Sequence, residues 1–273
     1  MVKPGPIAIF GSGEAASSSR KVHDRLLTQL TVPVHVAIIE TPAGFQPNVD
    51  VVTAKIREYL THHLQNFKPE VSIVSARRVG SAYDPNDPAT AAPLERANYI
   101  VAGPGSPTYA IRHLRDTTTW RTLTRRHAEG VTLALASASA IALGAYALPV
   151  YEIFKVGDDL TWVPGLNLFG LYGMELAIVP HWNNHEGGKD LDTSRCFMGV
   201  ERFETLRTLL PPSTTIIGID EHTSCIIDLA RGQCDVMGVG TVSVLAAGGD
   251  VVYPTGASFS VSELQPSLVL ARP

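Results

Sequence analysis

The sequence predicts an α/β protein in which helices cover both faces of a mostly parallel, doubly wound sheet, a three-layer arrangement with an antiparallel extension near the C-terminus. Short continuous apolar runs recur along the chain with helix-like stretches between them, and after Glu221 the apolar runs are separated only by short turns. Continuous apolar strands are typical of parallel sheets buried on both faces, whereas strands joined by tight turns pair antiparallel. These two patterns together predict the fold class.

Seven apolar runs are predicted as strands of the main sheet, and none of them contains an Asp, Glu, Lys or Arg. Their length and their content of Val, Ile, Leu and Ala are those of buried strands. In chain order they span residues 6–10, 34–39, 71–75, 99–102, 131–136, 176–179 and 215–219.

Helical spacing of apolar residues predicts helices over residues 17–30, 50–67, 108–115, 120–127, 140–148 and 194–210. One of these helices lies in the stretch 130–151, which has no charged residue and is long enough to span a bilayer. That stretch begins like a buried strand, turns to small residues and is stopped by Pro149. A strand, a turn and a helix therefore describe it better than a membrane segment.

The C-terminal third is predicted to add antiparallel strands over residues 225–229, 234–239 and 241–245, with turns at Arg231-Gly232 and Gly248-Gly249. No internal repeat, charge block or linker interrupts the chain. A single domain over residues 1–273 is expected, with residues 254–273 forming a surface tail.

The composition excludes several classes of protein. Lys and Arg number 22 against 26 Asp and Glu, a net charge of -4, which offers no attraction for nucleic acid or for an anionic membrane. The three cysteines, Cys196, Cys225 and Cys234, have no CxxC spacing, so neither a disulfide framework nor a zinc site is indicated. A short apolar run and a Gly-rich turn follow the N-terminus without a signal-peptide pattern. We expect a reduced, cytoplasmic protein without a cofactor.

The candidate functional residues follow the predicted strands, because ligands of open α/β sheets bind beyond the carboxyl ends of the strands. A serine, a histidine, several carboxylates and Gly-rich turns are all found there. The segments concerned are residues 11–14, 40–42, 103–106, 137–139, 180–184 and 220–222.

Ser137 stands at a strand-to-helix junction between small residues. A nucleophile on a sharp turn needs small neighbours, because the strained backbone leaves little room for side chains. The Gly-x-Ser-x-Gly form of such a turn is not met, since Leu135 and Ser139 replace the glycines. The alternative is a serine that caps a helix in a tightly packed core.

His181 follows a predicted strand at the edge where a base for Ser137 would be needed, and Glu221 closes the next strand. A structural histidine and a capping carboxylate are the alternatives. His185 stands four residues after His181, but the HExxH pattern of helical zinc sites is absent, so no metal is expected.

A dinucleotide site is a rival interpretation of the first loop. Gly11-x-Gly13-x-x-Ala16 lies between a strand and a helix, and Glu40 closes the following strand. Glu14 weakens this interpretation, because it would place a carboxylate where the pyrophosphate must bind. The spacing from Gly11 to Glu40 is also longer than the roughly 20 residues that the fingerprint prefers.

Taken together, the segments after the strands resemble those of the serine peptidases that include dipeptidase E and cyanophycinase. The fold of this family is similar to class I glutamine amidotransferases, with a flavodoxin-like sheet. The resemblance covers about residues 5–247 and depends on the order of five motifs: Gly11-Ser12-Gly13-Glu14, Gly103-Pro104-Gly105-Ser106, Ala136-Ser137-Ala138-Ser139-Ala140, Pro180-His181-Trp182 and Gly218-Ile219-Asp220-Glu221-His222-Thr223.

The resemblance implies a serine-type hydrolase that cleaves an amide or small peptide bond. Ser137 falls on the nucleophile, His181 on the base and Glu221 on the acid of the cyanophycinase-like members. Dipeptidase-like members take their acid from the segment between the serine and the histidine, where this chain has Glu152, Asp158 and Asp159.

The resemblance also places the oxyanion donors at the backbone N–H groups of Gly105 and Ala138. The remaining polar residues of the same motifs and of the segment after His181 are expected to bind substrate: Glu14, Ser106, Asn183 and Asn184.

This chain departs from the family pattern at Ser139, at Ser106 and in the segment after His181, which lacks the arginines of cyanophycinase-like members. The substrate of neither named member can therefore be transferred. A catalytically silent binding protein is the alternative function, and a nucleotide-binding protein is the third. The expected partner is a small peptide or amide, not nucleic acid or a membrane, and a homodimer is left open.

Overall fold

The computed structural model describes residues 3–265 and contains strands of two sheets. The strands are β1 (Ile7–Phe10), β2 (His35–Ile39), β3 (Glu70–Val74), β4 (Tyr99–Ala102), β5 (Thr132–Ala136), β6 (Tyr146–Ala147), β7 (Val163–Pro164), β8 (Leu176–Val179), β9 (Thr215–Ile219), β10 (Thr223–Asp228), β11 (Gln233–Gly238), β12 (Thr241–Ala246), β13 (Gly249–Pro254) and β14 (Ser258–Ser260).

The helices lie between the strands of the parallel part and before β9. They are α1 (Arg20–Leu27), α2 (Val49–His63), α3 (Pro88–Ala91), α4 (Pro93–Arg96), α5 (Pro107–Leu114), α6 (Thr118–Ala128), α7 (Ala138–Ala142) and α8 (Gly199–Thr208). Single 3₁₀ turns occur at Ser17–Ser19, Thr41–Ala43, Gln65–Phe67, Phe169–Tyr172 and Val261–Leu264, and a π-helical turn at Glu152–Val156.

A mixed α/β fold is confirmed, but the expectation of one main sheet is wrong. The larger sheet has eight strands in the order β14-β11-β10-β1-β5-β4-β2-β3, and the smaller has six in the order β13-β12-β9-β8-β6-β7. Strands β8 and β9 were expected in the same sheet as β1. Antiparallel β10 occupies that edge of β1 instead, pairing Ile7 with Ile227, so β8 and β9 pair with each other in the second sheet.

The two sheets meet at Gly11, directly after β1. Its N–H donates to the carbonyl of Thr223, and its own carbonyl accepts from the N–H of His181 at 3.2 Å. A Cβ at Gly11 would lie 2.1 Å from the carbonyl oxygen of Asp220, so only glycine allows this approach. The carboxyl ends of β1, β5, β8 and β9 are thereby drawn together although they belong to different sheets.

Successive residues of the parallel strands face two different cores, as the alternation of side chains along a strand requires. On one face Ala8, Phe10 and Ala136 pack with the apolar sides of α1 and α2. On the other face Ile9 and Leu135 pack with residues of α6, β8 and β9. Both faces are buried, which explains why the strands are continuously apolar.

Two local predictions are wrong. The helix expected over 140–148 is the short α7, which ends at Ala142 and leaves Tyr146 and Ala147 to pair with Pro164 and Val163. Residues 254–265 do not form a surface tail, because β14 pairs with β11 and places Phe259 in the core. Residues 266–273 of the expected tail lie outside the described residues.

Between residues 3 and 265, no helix has the length and apolar character needed to cross a membrane.

Deleting the aromatic ring of Phe259 should strongly destabilise the fold. The ring is 6% exposed and stacks on Tyr253 with 4.1 Å between centroids. We expect Phe259→Ala to lower the free energy of unfolding by about 3 kcal/mol, measured by urea denaturation. Val252→Ala, on the exposed strand β13, is the control and should change it by less than about 0.5 kcal/mol. Equal losses in the two variants would contradict a packed C-terminal strand.

Candidate active site

Ser137 occupies the turn between β5 and α7 with a strained backbone. Its φ is 52° and its ψ is -116°, a combination that L-residues rarely adopt and that costs on the order of 1–3 kcal/mol. The neighbouring Ala136, Ala138 and Ala140 are buried, and their methyl groups fit where larger side chains would not. The strained position expected from the small neighbours is therefore observed.

Ser139 is buried. It does not belong to the cleft, by which we mean the partly exposed surface formed by Glu14, Ser137, His181 and Glu221. Its hydroxyl accepts from the N–H of Ala136 at 2.9 Å and lies 2.7 Å from the carbonyl oxygen of Ala102, to which it donates. These bonds tie the turn to the ends of β5 and β4. Ser139 thus has a structural task where the sequence pattern would place a glycine.

A continuous series of hydrogen bonds joins Ser137, His181 and Glu221. The hydroxyl of Ser137 lies 3.0 Å from Nε2 of His181, and Nδ1 of the same ring lies 2.8 Å from Oε1 of Glu221. Since a carboxylate accepts, Nδ1 carries the proton that faces Glu221, and Nε2 is free to accept from the serine hydroxyl. Side chains that follow β5, β8 and β9 are brought together in this way.

His181 has a left-handed backbone, with a φ of 51°. Its N–H donates to Gly11, and its carbonyl accepts from the N–H groups of Asn184 and Cys196. The turn after β8 is thus bonded on both sides, so the imidazole is held by backbone bonds as well as by Glu221.

Asn183 and Asn184 both form hydrogen bonds with Glu221. Oδ1 of Asn183 accepts from the backbone N–H of Glu221 at 2.8 Å, while Nδ2 of Asn184 donates to Oε1 of the carboxylate at 3.1 Å. Asn184 is completely buried, so the expectation that it binds substrate is wrong. Asn183 is partly exposed and its Nδ2 donates to no group within residues 3–265, so its contact with substrate stays a prediction.

Burial raises the pKa of Glu221, but hydrogen bonds from His181 and Asn184 outweigh it, and the net pKa lies below the ordinary value. The carboxylate therefore stays ionised at neutral pH, which is the state that accepts from His181.

The loop after β4 contains Gly105, and β4 pairs with β5, the strand that ends at the turn of Ser137. Gly105 has a φ of 148°, and a Cβ there would lie 1.8 Å from the carbonyl oxygen of Pro42. Neither the N–H of Gly105 nor that of Ala138 donates to another group within the described part of the chain. Both remain available for an external acceptor, as the oxyanion prediction requires.

Ser106, which is predicted to bind substrate, also caps a helix. Its Oγ caps α5 by accepting from the N–H of Tyr109 at 3.2 Å, and its hydroxyl lies 3.0 Å from Oγ1 of Thr108. Thr108 in turn donates to Oε1 of Glu152 at 2.6 Å.

Ser106, Thr108 and Glu152 also line a cavity of about 610 Å³. Its other lining residues are Phe45, Gln46, Tyr109, Arg112 and Tyr151.

Glu14 is the remaining predicted contact, and it faces the cleft. Its side chain is partly exposed, and burial raises the pKa of the carboxyl, although its own backbone N–H and the charge of His181 act in the opposite direction. Apart from its own backbone N–H, no group among residues 3–265 donates a hydrogen bond to its carboxylate.

The alternative acids do not contact His181. Glu152 bonds to Thr108, and Asp158 and Asp159 are exposed. The position beside Nδ1 of His181 is held by Glu221.

The structure does not favour the dinucleotide interpretation. Glu40, which would bind the ribose, is buried and paired with Arg77 at 2.7 Å. The Gly11 position is explained by the close approach of Asp220. The described residues also contain no cluster of His, Cys, Asp and Glu side chains that could hold a metal ion.

Comparison with solved structures identifies similar proteins. A peptidase from an acI-B1 actinobacterium matches with a TM-score of 0.74 and 18% identity, over 94% of this chain and 97% of that one. The two chains therefore share a fold. A putative Peptidase E protein from Listeria monocytogenes EGD-e matches with a TM-score of 0.57 and 14% identity, over 87% of this chain and 100% of that one. No protein-family model and no curated protein sequence matches.

These structural neighbours agree with the resemblance to dipeptidase E inferred from the sequence motifs. At such low identity they show the fold, and the chemistry has to be argued from the residues of this chain.

Removing the amide of Asn184 should raise the pKa of Glu221. The bond from Asn184 is one of the two that outweigh burial, so Asn184→Ala should move the pKa upward in a ¹³C NMR titration of the side-chain carboxyl. Asn183→Ala is the matched control, because Asn183 contacts only the backbone of Glu221, and it should leave the pKa in place.

Asn184→Ala should also change how the stability of the fold depends on pH in acid. The folded pKa of Glu221 lies below the ordinary 4.5, so its contribution to stability is present above pH 4.5 and is lost as the pH falls through the folded pKa. In Asn184→Ala the folded pKa lies closer to 4.5, so this contribution should be smaller and its loss should be complete at a higher pH. An unchanged carboxyl titration in that variant would contradict the role assigned to Asn184.

Proposed function

We propose that the protein is a serine hydrolase that cleaves the amide bond of a small peptide or related amide. The observation that carries this proposal is the series Ser137–His181–Glu221, with separations of 3.0 and 2.8 Å. Nucleophile, base and orienting carboxylate within hydrogen-bond distance are what acyl transfer by a serine requires. The peptidase fold of the structural neighbours supports the same class of reaction.

In the proposed first step, Oγ of Ser137 attacks the substrate carbonyl carbon while Nε2 of His181 takes its proton. Glu221 holds the ring in the tautomer that can accept this proton and stabilises the imidazolium that forms. A positioned base of this kind contributes roughly 10²–10⁴-fold to the rate.

The negative charge that develops on the carbonyl oxygen would be stabilised by the free N–H groups of Gly105 and Ala138. Ala138 starts α7 directly after the nucleophile, and Gly105 lies in the loop after the adjacent strand β4. A single donor of this kind contributes about 10²–10³-fold.

The imidazolium then protonates the leaving amine, and the amide C–N bond breaks to give an acyl ester of Ser137. Water attacks this ester with His181 again as the base, which releases the carboxylic acid and restores the serine. We assign one part of the substrate to the cavity that Ser106, Thr108 and Tyr109 line, because these residues directly follow the loop that contains Gly105.

Substitution of the two serines should separate chemistry from structure. We expect Ser137→Ala to abolish amide hydrolysis and labelling by a fluorophosphonate probe while the melting temperature is maintained. Ser139→Ala should keep labelling and most of the activity but lower the melting temperature, because two buried hydrogen bonds are lost. His181→Asn should reduce kcat by about 10²–10⁴-fold.

Labelling and activity also test the assignment of the nucleophile and the alternative function, a catalytically silent binding protein. Labelling at Ser139 in place of Ser137 would overturn the assignment of the nucleophile. A wild-type protein that binds peptides but is neither labelled nor active would be the catalytically silent binding protein.

A further inference from the structure

Glu14 is a carboxylate in the cleft for which the proposed reaction has no use. No other described residue donates a hydrogen bond to its side chain, whereas the carboxylate of Glu221 accepts from two other residues. An ionised group that is partly withdrawn from water needs a partner of opposite charge or hydrogen-bond donors. We therefore expect a group of the bound ligand to contact the carboxylate of Glu14.

The strand order places Glu14 next to the nucleophile. Both β1 and β4 pair with β5, which lies between them and ends at Ser137. Glu14 follows β1, yet its Oε1 would lie only 3.1 Å from a Cβ at Gly103, which follows β4. The side chain must therefore reach across the carboxyl end of β5. The absence of a side chain at Gly103 leaves room for the carboxylate.

Two buried side chains hold the backbone of Glu14 by hydrogen bonds. Its carbonyl oxygen accepts from Oγ of Ser19 at 2.9 Å and from Nε2 of His23 at 2.7 Å. Burial lowers the pKa of His23 to about 4, so the ring is neutral. Since a carbonyl can only accept, the ring proton is on Nε2, and Nδ1 accepts from the hydroxyl of Tyr99 at 2.7 Å. Glu14 is thus held in a defined position.

We propose that Glu14 binds a primary ammonium group of the substrate close to the bond that Ser137 cleaves. The inference rests on the proposed function, because Ser137 defines where the reacting carbonyl lies. An ammonium group supplies both the charge and the donors that this carboxylate lacks. Its source is either the free α-amino group of the peptide or the side chain of a basic residue.

Binding to the Ser137→Ala variant tests this without turnover. Calorimetry would compare trialanine, N-acetyl-trialanine and an N-acetylated peptide that carries lysine in place of its first alanine. We expect a peptide with an ammonium group to bind roughly ten- to hundred-fold more tightly than N-acetyl-trialanine. Tight binding of trialanine identifies the α-amino group as the source, and tight binding of the lysine peptide identifies the side chain.

Glu14→Gln in the same background should abolish the difference between the peptides. Glu201→Gln, an exposed carboxylate on α8, is the charge-matched control and should preserve it. Circular dichroism checks that both variants are folded. The proposal is overturned if the three peptides bind equally, if none binds, or if the preference survives Glu14→Gln.

These outcomes are separate from the proposed function. A preference that depends on Glu14 in a protein that hydrolyses nothing would support the ammonium site and reject the hydrolase. Hydrolysis of peptides without a preference for an ammonium group would support the hydrolase and reject the ammonium site.

Discussion

The backbone of Ser137 is the constraint on which the proposed site depends. Its φ and ψ have an energetic cost that the surrounding packing must offset, and in this conformation its hydroxyl lies 3.0 Å from Nε2 of His181. Alanines before and after the serine remove the steric conflict, and the buried hydroxyl of Ser139 ties the turn to the two strands beside it. A turn of this kind is therefore formed without the glycines that the usual pattern places around the nucleophile.

The junction of the two sheets sets the distance from this serine to its partners. Ser137 belongs to the larger sheet, whereas His181 and Glu221 follow strands of the smaller one. Gly11 bonds to both sides of the junction and has no side chain to separate them. Any movement between the sheets would change the separation of Ser137 and His181, so the packing at Gly11 is part of the chemistry of the site.

Two carboxylates of the cleft have opposite surroundings. Glu221 receives donors from His181 and Asn184, which lowers its pKa despite burial. Glu14 receives a hydrogen bond only from its own backbone N–H among the described residues, and burial raises its pKa. Similar side chains thus have different tasks, because one is saturated by the protein and the other is left for a ligand.

The sequence by itself determined the α/β class and several strands, including residues 99–102, 176–179 and 215–219, because a fully buried strand is a continuous apolar run. It also selected Ser137, His181 and Glu221 as candidates, since each follows such a run. Only the tertiary structure decided that β8 and β9 form a second sheet, that α7 ends at Ala142 and that Asn184 points inward to Glu221. Strand pairing and side-chain burial depend on residues far apart in the chain, and a local pattern of apolar and polar residues contains no information about those partners.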